Sequence, residues 1–548
     1  MKFHPETLEY LLQLDIIDKL PSVGKDQWQT LYLGQHTPAH RIGIYCALLD
    51  DDAAGRALER DGWDITIGDG APGFSSGWAD GKETTTYERP SDVDGIRRLI
   101  LYREFYGAFP DYLEIDEEFR LYHNLADDRS RGLLLDFDRS GREIEVARID
   151  PKSVQVKLRY LRQFQAGTGL HLAIYMDSVR YSTIPLASIA SAECDRTEIN
   201  GCIRWRRNVT KCDFNKAYQT FSRLLCKVVL APPARERSGI WPYKVDESDK
   251  PVTFKIAVDE FGNDVESTCD PDELSNYFGS NPGAPHYLTP VFFRREVLTK
   301  YFAEPDRYKV SDGRLSCLAL WSCQIDNDLD SHVVVFLGDL GRDLPYEERL
   351  HWRQFNIAPE GQISETNYRR SFLSQFADAQ AADLSFREEY ASVLRDWGKV
   401  QGWPLFLPLS QGDSHLLETV RVPVTNSQVE FDEQIGHLTK LLIDSLNEKE
   451  IAVRAGALPE NAKGITKLAT FLEATKFPES QSTVQLLRDL QSLRSTGTAH
   501  RKGSEYEKII TKLGVDPNDK ADAVRRFLIA ATQALRAIRR YYCRASAE

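Results

Sequence analysis

Near the carboxy terminus, the run Arg494-Ser-Thr-Gly-Thr-Ala-His500-Arg501-Lys502 sets a permanent cation and a histidine on either side of a glycine flanked by hydroxyls. Histidine, with an ordinary pKa near 6.5, takes or gives a proton at neutral pH. Arginine's planar fork holds two phosphate oxygens at once, which the point charge of a lysine does not reproduce. Cleaving RNA without a metal needs one group to move the 2′-hydroxyl proton, another to protonate the leaving 5′-oxygen, and a cation to meet the phosphorane charge. In that chemistry Arg494 and His500 are the catalytic candidates, Arg501 and Lys502 hold flanking phosphates, and no metal or cofactor is required. The competing reading is a polar turn of a helical bundle with no catalytic role. Tyr506 and Lys508, just beyond, read as helix-surface residues.

On an unbroken helix Arg494 and His500 would point about 240° apart at ~100° per residue. Gly497 with Ser495, Thr496 and Thr498 around it supplies a left-handed stop and hydroxyl caps, so a kink at this point can turn the two side chains together. The elements that must position them are helical. Phe431, Ile435, Leu438, Leu442 and Leu446 form one apolar stripe, and Ile465, Leu468, Phe471 and Leu472 a second. Val484, Leu487, Leu490 and Leu493 form a third, and the fourth helix, 521–542, offers Ala523, Phe527, Ala530, Ala534, Ala537, Ile538 and Tyr541 for packing. His437 falls off the first stripe and is expected on the surface. Four amphipathic helices with short connections predict a four-helix bundle over 424–548, entered through the proline-punctuated stretch that ends at Pro423.

With Leu493 before the arginine, Ala499 before the histidine and five residues between the pair, this segment resembles the ribonuclease motif of the HEPN superfamily of helical bundles. The resemblance covers only the last ~120 residues. It implies dimerisation, with a homodimer or higher even oligomer as partner, an RNA-cleaving site shared across the dimer axis, and employment in anti-phage or toxin systems. It also gives Ser495 a supporting role, in the place where the family usually carries asparagine or aspartate.

The rest of the chain reads as mixed α and β. A helix is expected over 5–20 and another from Val93 to Phe105. Between them Gly68 to Gly81 is glycine-rich but lacks the lysine of a phosphate-binding loop, so a long surface loop is expected. From Leu133 the order is strand, strand (143–149), helix (154–166) and strand (171–176), with further strands at 251–258 and 331–337 and a helical pattern over 365–398. The aromatic and charged stretches around Pro290, Gly338 and Arg349 to Asn356 suit either a pocket or a polar internal interface; His351 reads as structural. The expected fold class is therefore multidomain α+β: a mixed α/β region over 1–125, a central sensor or regulatory α/β region over 126–423, and an all-α body over 424–548.

A hydrophobic content of 42% with 28% charged residues is that of a globular chain, and 548 residues exceed one ordinary core. The net charge of -13 argues against a surface that is wholly a nucleic-acid footprint, yet from Arg501 onward eleven Lys and Arg stand against six Asp and Glu. The competing reading of Arg525, Arg526, Arg536, Arg539 and Arg540 is the solvated face of one helix. Nine scattered cysteines without a CxxC pair suit buried thiols in a reduced, cytoplasmic protein better than zinc. No stretch is long and apolar enough to span a membrane.

The expectation that follows is a metal-independent endoribonuclease effector of abortive infection, restrained by its amino-terminal regions and released by a phage-derived or small-molecule trigger. Two rivals stand beside it. In one the bundle is a non-catalytic module that binds a nucleotide or partner; in the other a different activity sits around Trp321 to Asp343 and the bundle only dimerises.

Overall fold

The computed structural model describes residues 5–59, 73–88, 95–244, 250–359, 361–497 and 504–543. The chain forms two compact units, Met1–Asp138 with Arg142–Asp246, and Arg139–Gly141 with Glu247–Glu548. The expected boundary at 125/126 falls inside the first unit, because strands on both sides of it join one sheet.

That sheet has eleven strands: β1 (Trp28–His36), β2 (His40–Leu49), β3 (Ile96–Arg98), β4 (Ala126–Asp128), β5 (Leu133–Phe137), β6 (Glu143–Asp150), β7 (Ser153–Lys157), β8 (His171–Ser182), β9 (Asp195–Asn200), β10 (Ile203–Lys211) and β11 (Thr220–Leu230). They run antiparallel in the order β9-β10-β11-β8-β2-β1-β7-β6-β5-β4, with β3 paired to β2. The helix Leu158–Thr168 covers one face through Leu161 and Phe164, both fully buried. It starts later than its pattern predicts, because Val154 and Val156 are claimed by β7, between β1 and β6.

Three local expectations fail for identifiable reasons. The 93–105 helix is instead β3 followed by a strand Ile100–Arg103, since Ile96 and Arg97 pair with β2 and Leu99 is fully buried. Tertiary pairing overrides a helical spacing that short. The glycine-rich stretch is a hairpin from Gly73 onward: Gly73–Ala79 pairs with Lys82–Glu88 across Asp80 and Gly81, whose φ values of 53° and 74° suit the two-residue turn that an Asp-Gly pair favours. The amino-terminal helix is split into Leu8–Leu11 and Leu14–Ile17 by Gln13 at φ 55°, whose side-chain amide donates to Ser222 Oγ at 2.9 Å and the Ser178 carbonyl at 3.2 Å.

In the second unit, residues 250–380 build a smaller α/β body. Strand Pro290–Arg294 lies between His332–Phe336 and Asn356–Ile357, with a hairpin (Thr253–Val258, Asp264–Thr268) and a three-stranded meander (308–324) beside it. Beyond it the described chain is helical: α1 (Ala382–Gln401), α2 (Gln428–Thr439), α3 (Glu448–Ala455), α4 (Gly464–Ala474), α5 (Ser480–Gly497), α6 (Ser504–Lys512) and α7 (Lys520–Tyr542). The helical body therefore begins at Ala382, earlier than the expected 424. Phe386, Tyr390, Val393 and Trp397 of α1 are buried in the same core as Phe431, Leu438, Leu490 and Leu528. Glu389 of α1 also takes Arg536 and Arg539 of α7 at 3.2 and 2.9 Å.

Of the residues expected to pack on α7, Ala523 and Ile538 are buried, Phe527, Ala530, Ala534 and Ala537 are only half-buried and Tyr541 is exposed; Val524, Leu528, Ala531 and Leu535 complete the buried face. An alanine-rich helix has apolar positions on several sides, and packing against α1 selects among them. Among the described residues no helix is long and apolar enough to cross a membrane.

Candidate functional site at the end of α5

Helix α5 is anchored by Val484, Leu487, Leu490 and Leu493, all buried, as its three-to-four spacing predicts. The residue after Leu493 is turned ~100° away from the core, which brings Arg494 to the edge of the last turn with its side chain 37% exposed. There its Nη1 donates to Asp444 Oδ2 at 2.6 Å. Asp444 ends a π-helical turn, Lys440–Asp444, that follows α2 directly. The Ser495 hydroxyl donates back to the Ser492 carbonyl at 3.1 Å, a bond within its own helix, and Thr496 Oγ1 donates to the same carbonyl at 2.7 Å.

His500, Arg501 and Lys502 lie outside the described residues, as do Thr498 and Ala499. Of the five site candidates the structure thus locates Arg494 and Ser495. Tyr506, on α6, is drawn inward: its hydroxyl accepts from Gln428 Nε2 at 2.8 Å, and burial raises its pKa. Lys508 is exposed on the same helix.

Four of the five arginines of α7 are paired within the fold, and Arg540 is exposed. Arg525 meets Asp330 at 2.8 Å, Arg526 meets Asp522 at 3.0 Å, and Arg536 and Arg539 share Glu389. The sequence excess of Lys and Arg after residue 501 therefore overstates the charge α7 offers a polyanion.

His437 is not a surface residue. It is 9% exposed, with Nδ1 unpartnered and its ring edge-on to His415 at 6.4 Å between centroids. Burial first, then the charges of Arg421, His415 and Lys440, lower its pKa from 6.5 to about 4, against the pull of Asp413; Glu433 lies 3.8 Å from Nε2 on the same helix. The unfolded chain takes up this proton near 6.5 and the folded chain only near 4, so stability present above pH 6.5 is lost as pH falls through that window. His123 in the first unit, also lowered to about 4 by burial, adds a loss of the same sign. His437→Gln is expected to narrow the fall in denaturant midpoint between about pH 7 and pH 4.5, read by urea titration. An undiminished fall would show that this site does not set the acid sensitivity.

In the aromatic and charged stretch at 349–356, Arg349 and Trp352 turn inward while Leu350, Arg353 and Gln354 are exposed. Trp352 Nε1 donates to Tyr301 OH at 2.8 Å, Tyr301 donates to Glu348 at 2.6 Å, and Lys300 reaches the other Glu348 oxygen at 2.6 Å. His351 Nε2 bonds the Val297 carbonyl at 2.9 Å, a structural role. The Gly338 stretch, for which a pocket is one of the two readings, contributes Asp339 and Arg342 to a cavity of about 780 Å³ whose walls also include Asp312, Arg314, Asp326 and Asp328. Its acids are scattered over 312–343 with no short motif to announce them.

Asp444 was also missed, although a signal existed. Leu441, Leu442 and Ile443 in succession sweep ~200° of a straight helix, more than one apolar stripe covers. No family model matches the chain, and neither does any curated protein or solved structure.

Proposed function

We propose that the chain is a metal-independent endoribonuclease whose carboxy-terminal helical body is a HEPN-like effector, with Arg494 and His500 as its catalytic pair. The observation that carries this reading is the setting of Arg494. It stands on the last turn of a well-anchored helix, exposed enough to meet a phosphate and already holding an oxyanion, the Asp444 carboxylate, at 2.6 Å. Six positions on, His500 supplies the proton-transfer group. One histidine per chain cannot stand on both sides of one phosphate, so a second His500 from a two-fold partner is part of the reading. RNA is the substrate, the amino-terminal unit and central region restrain the site, a cytoplasmic location follows from the cysteine pattern, and an anti-phage role follows from the resemblance alone.

The test is cleavage of RNA by the purified full-length protein. Excess chelator is expected to leave the rate unchanged, because Arg494 and His500 between them supply charge stabilisation and proton transfer. Complete inhibition, reversed only by magnesium or manganese, would move the chemistry elsewhere.

The cavity of about 780 Å³ favours a second reading. Its size suits a small molecule, as the trigger or as the substrate of an activity seated in the central region, with the helical body serving as a nucleotide-binding, partner-binding or dimerisation module. An activity that survives in the full chain carrying both Arg494→Ala and His500→Ala would support this alternative.

A further inference from the structure

The π turn before Asp444 is built into the core. Leu441, Leu442 and Ile443 are all buried, at 0%, 4% and 8% exposure, and the wider turn is what lets three consecutive apolar residues find the interior. Such turns are rare and occur frequently at functional sites. The Leu441 carbonyl, inside this turn, accepts from the buried Tyr390 hydroxyl of α1 at 3.0 Å and from Ser445 Oγ. The segment 405–407 holds the far side: Leu407 N donates to the Ser445 carbonyl at 2.6 Å, and Asn447 N to the Leu405 carbonyl at 2.9 Å. Two separate parts of the chain thus fix a five-residue turn whose last member meets Arg494, fifty residues away in sequence.

We propose that Asp444 is a positioning residue for Arg494, its carboxylate on Nη1 holding the guanidinium at the edge of α5 where a substrate phosphate is met. The proposal rests on the ribonuclease reading of Arg494. With the two side chains 37% and 43% exposed, the pair contributes little to stability. Its value lies in restricting a long side chain, and a misplacement of about 1 Å at a reacting phosphate can cost on the order of 100-fold in rate. Asp444 touches no reacting atom in this scheme.

The experiment uses the full-length chain and a single-stranded RNA oligonucleotide, with Arg494→Ala, Asp444→Ala and Asp444→Asn beside wild type. Asp444→Ala is expected to lower kcat about tenfold with KM changed by less than about threefold and an unaltered melting temperature, and Asp444→Asn, which keeps an acceptor oxygen, to recover most of the rate. The mobility of the Arg494 guanidinium, followed by its Nε–H resonance in arginine-labelled protein, is expected to rise in Asp444→Ala. Wild-type kcat in Asp444→Ala alongside an inert Arg494→Ala would overturn the proposal, and so would an unchanged Arg494 resonance. A chain that cleaves no RNA, or an Arg494→Ala variant that cleaves normally, sinks the ribonuclease reading instead, and the resonance still decides whether Asp444 holds the arginine.

Discussion

Arg494→Ala and His500→Ala are each expected to lower RNA cleavage by about 10²- to 10⁴-fold, the range over which positioned acid-base groups act. Neither substitution should unfold the protein. Arg494 is 37% exposed and its described ion pair is with a 43% exposed Asp444, so its loss costs about 0–1 kcal/mol. A residual rate within about threefold of wild type in either variant would remove that residue from the chemistry. Mixing the two variants adds a second test: if the site is shared between two chains, heterodimers keep one intact arginine and one intact histidine and regain part of the activity, whereas chains that act alone stay inert.

The second large effect concerns stability. Trp397→Ala in the full chain is expected to cost about 3–5 kcal/mol, the usual penalty for emptying a fully buried tryptophan site. Trp397 is 1% exposed, packed edge-on against Trp403 and close to Tyr542 and Phe471, so it joins α1 to α4 and α7. A fragment beginning at 424 lacks α1 altogether and leaves the faces that meet Phe386, Tyr390, Val393 and Trp397 bare. It is expected to show no cooperative thermal transition, by circular dichroism, under conditions where the full chain does. A fragment 424–548 that melts sharply would mean that α1 is peripheral to the core. This dependence also makes truncation near Pro423 unsuitable for separating the central region from the helical body.

How far the sequence could be read follows from the range of the forces involved. The stripes of α2, α4 and α5 are set by spacing within one helix, and Phe431, Leu468 and Leu490 are buried as their positions predict. Membership of α1 is set by a partner more than a hundred residues away, and nothing in 382–401 says that α7 will be that partner. His437 shows the same limit. Its angle places it off the stripe of α2, but residues around His415 and Arg421 cover that flank. In the first unit, helical spacing at Ile96 and Leu99 lost to strand pairing with β2, which lies far off in sequence. At the candidate site the position of Arg494 in the last turn of an amphipathic helix was legible because the spacing that sets it is local. Asp444 was not, because a π turn fixed by Tyr390 brings it there.

The measurement that tests the central claim most directly is the chemistry of the RNA ends left by the purified protein in excess chelator. Attack by the 2′-hydroxyl, with protonation of the leaving 5′-oxygen, predicts 5′-hydroxyl products, no cleavage at a position carrying a 2′-deoxy sugar, and no products from Arg494→Ala or His500→Ala. Products with 5′-phosphate ends, or cleavage that disappears with chelator and persists in both variants, would contradict it.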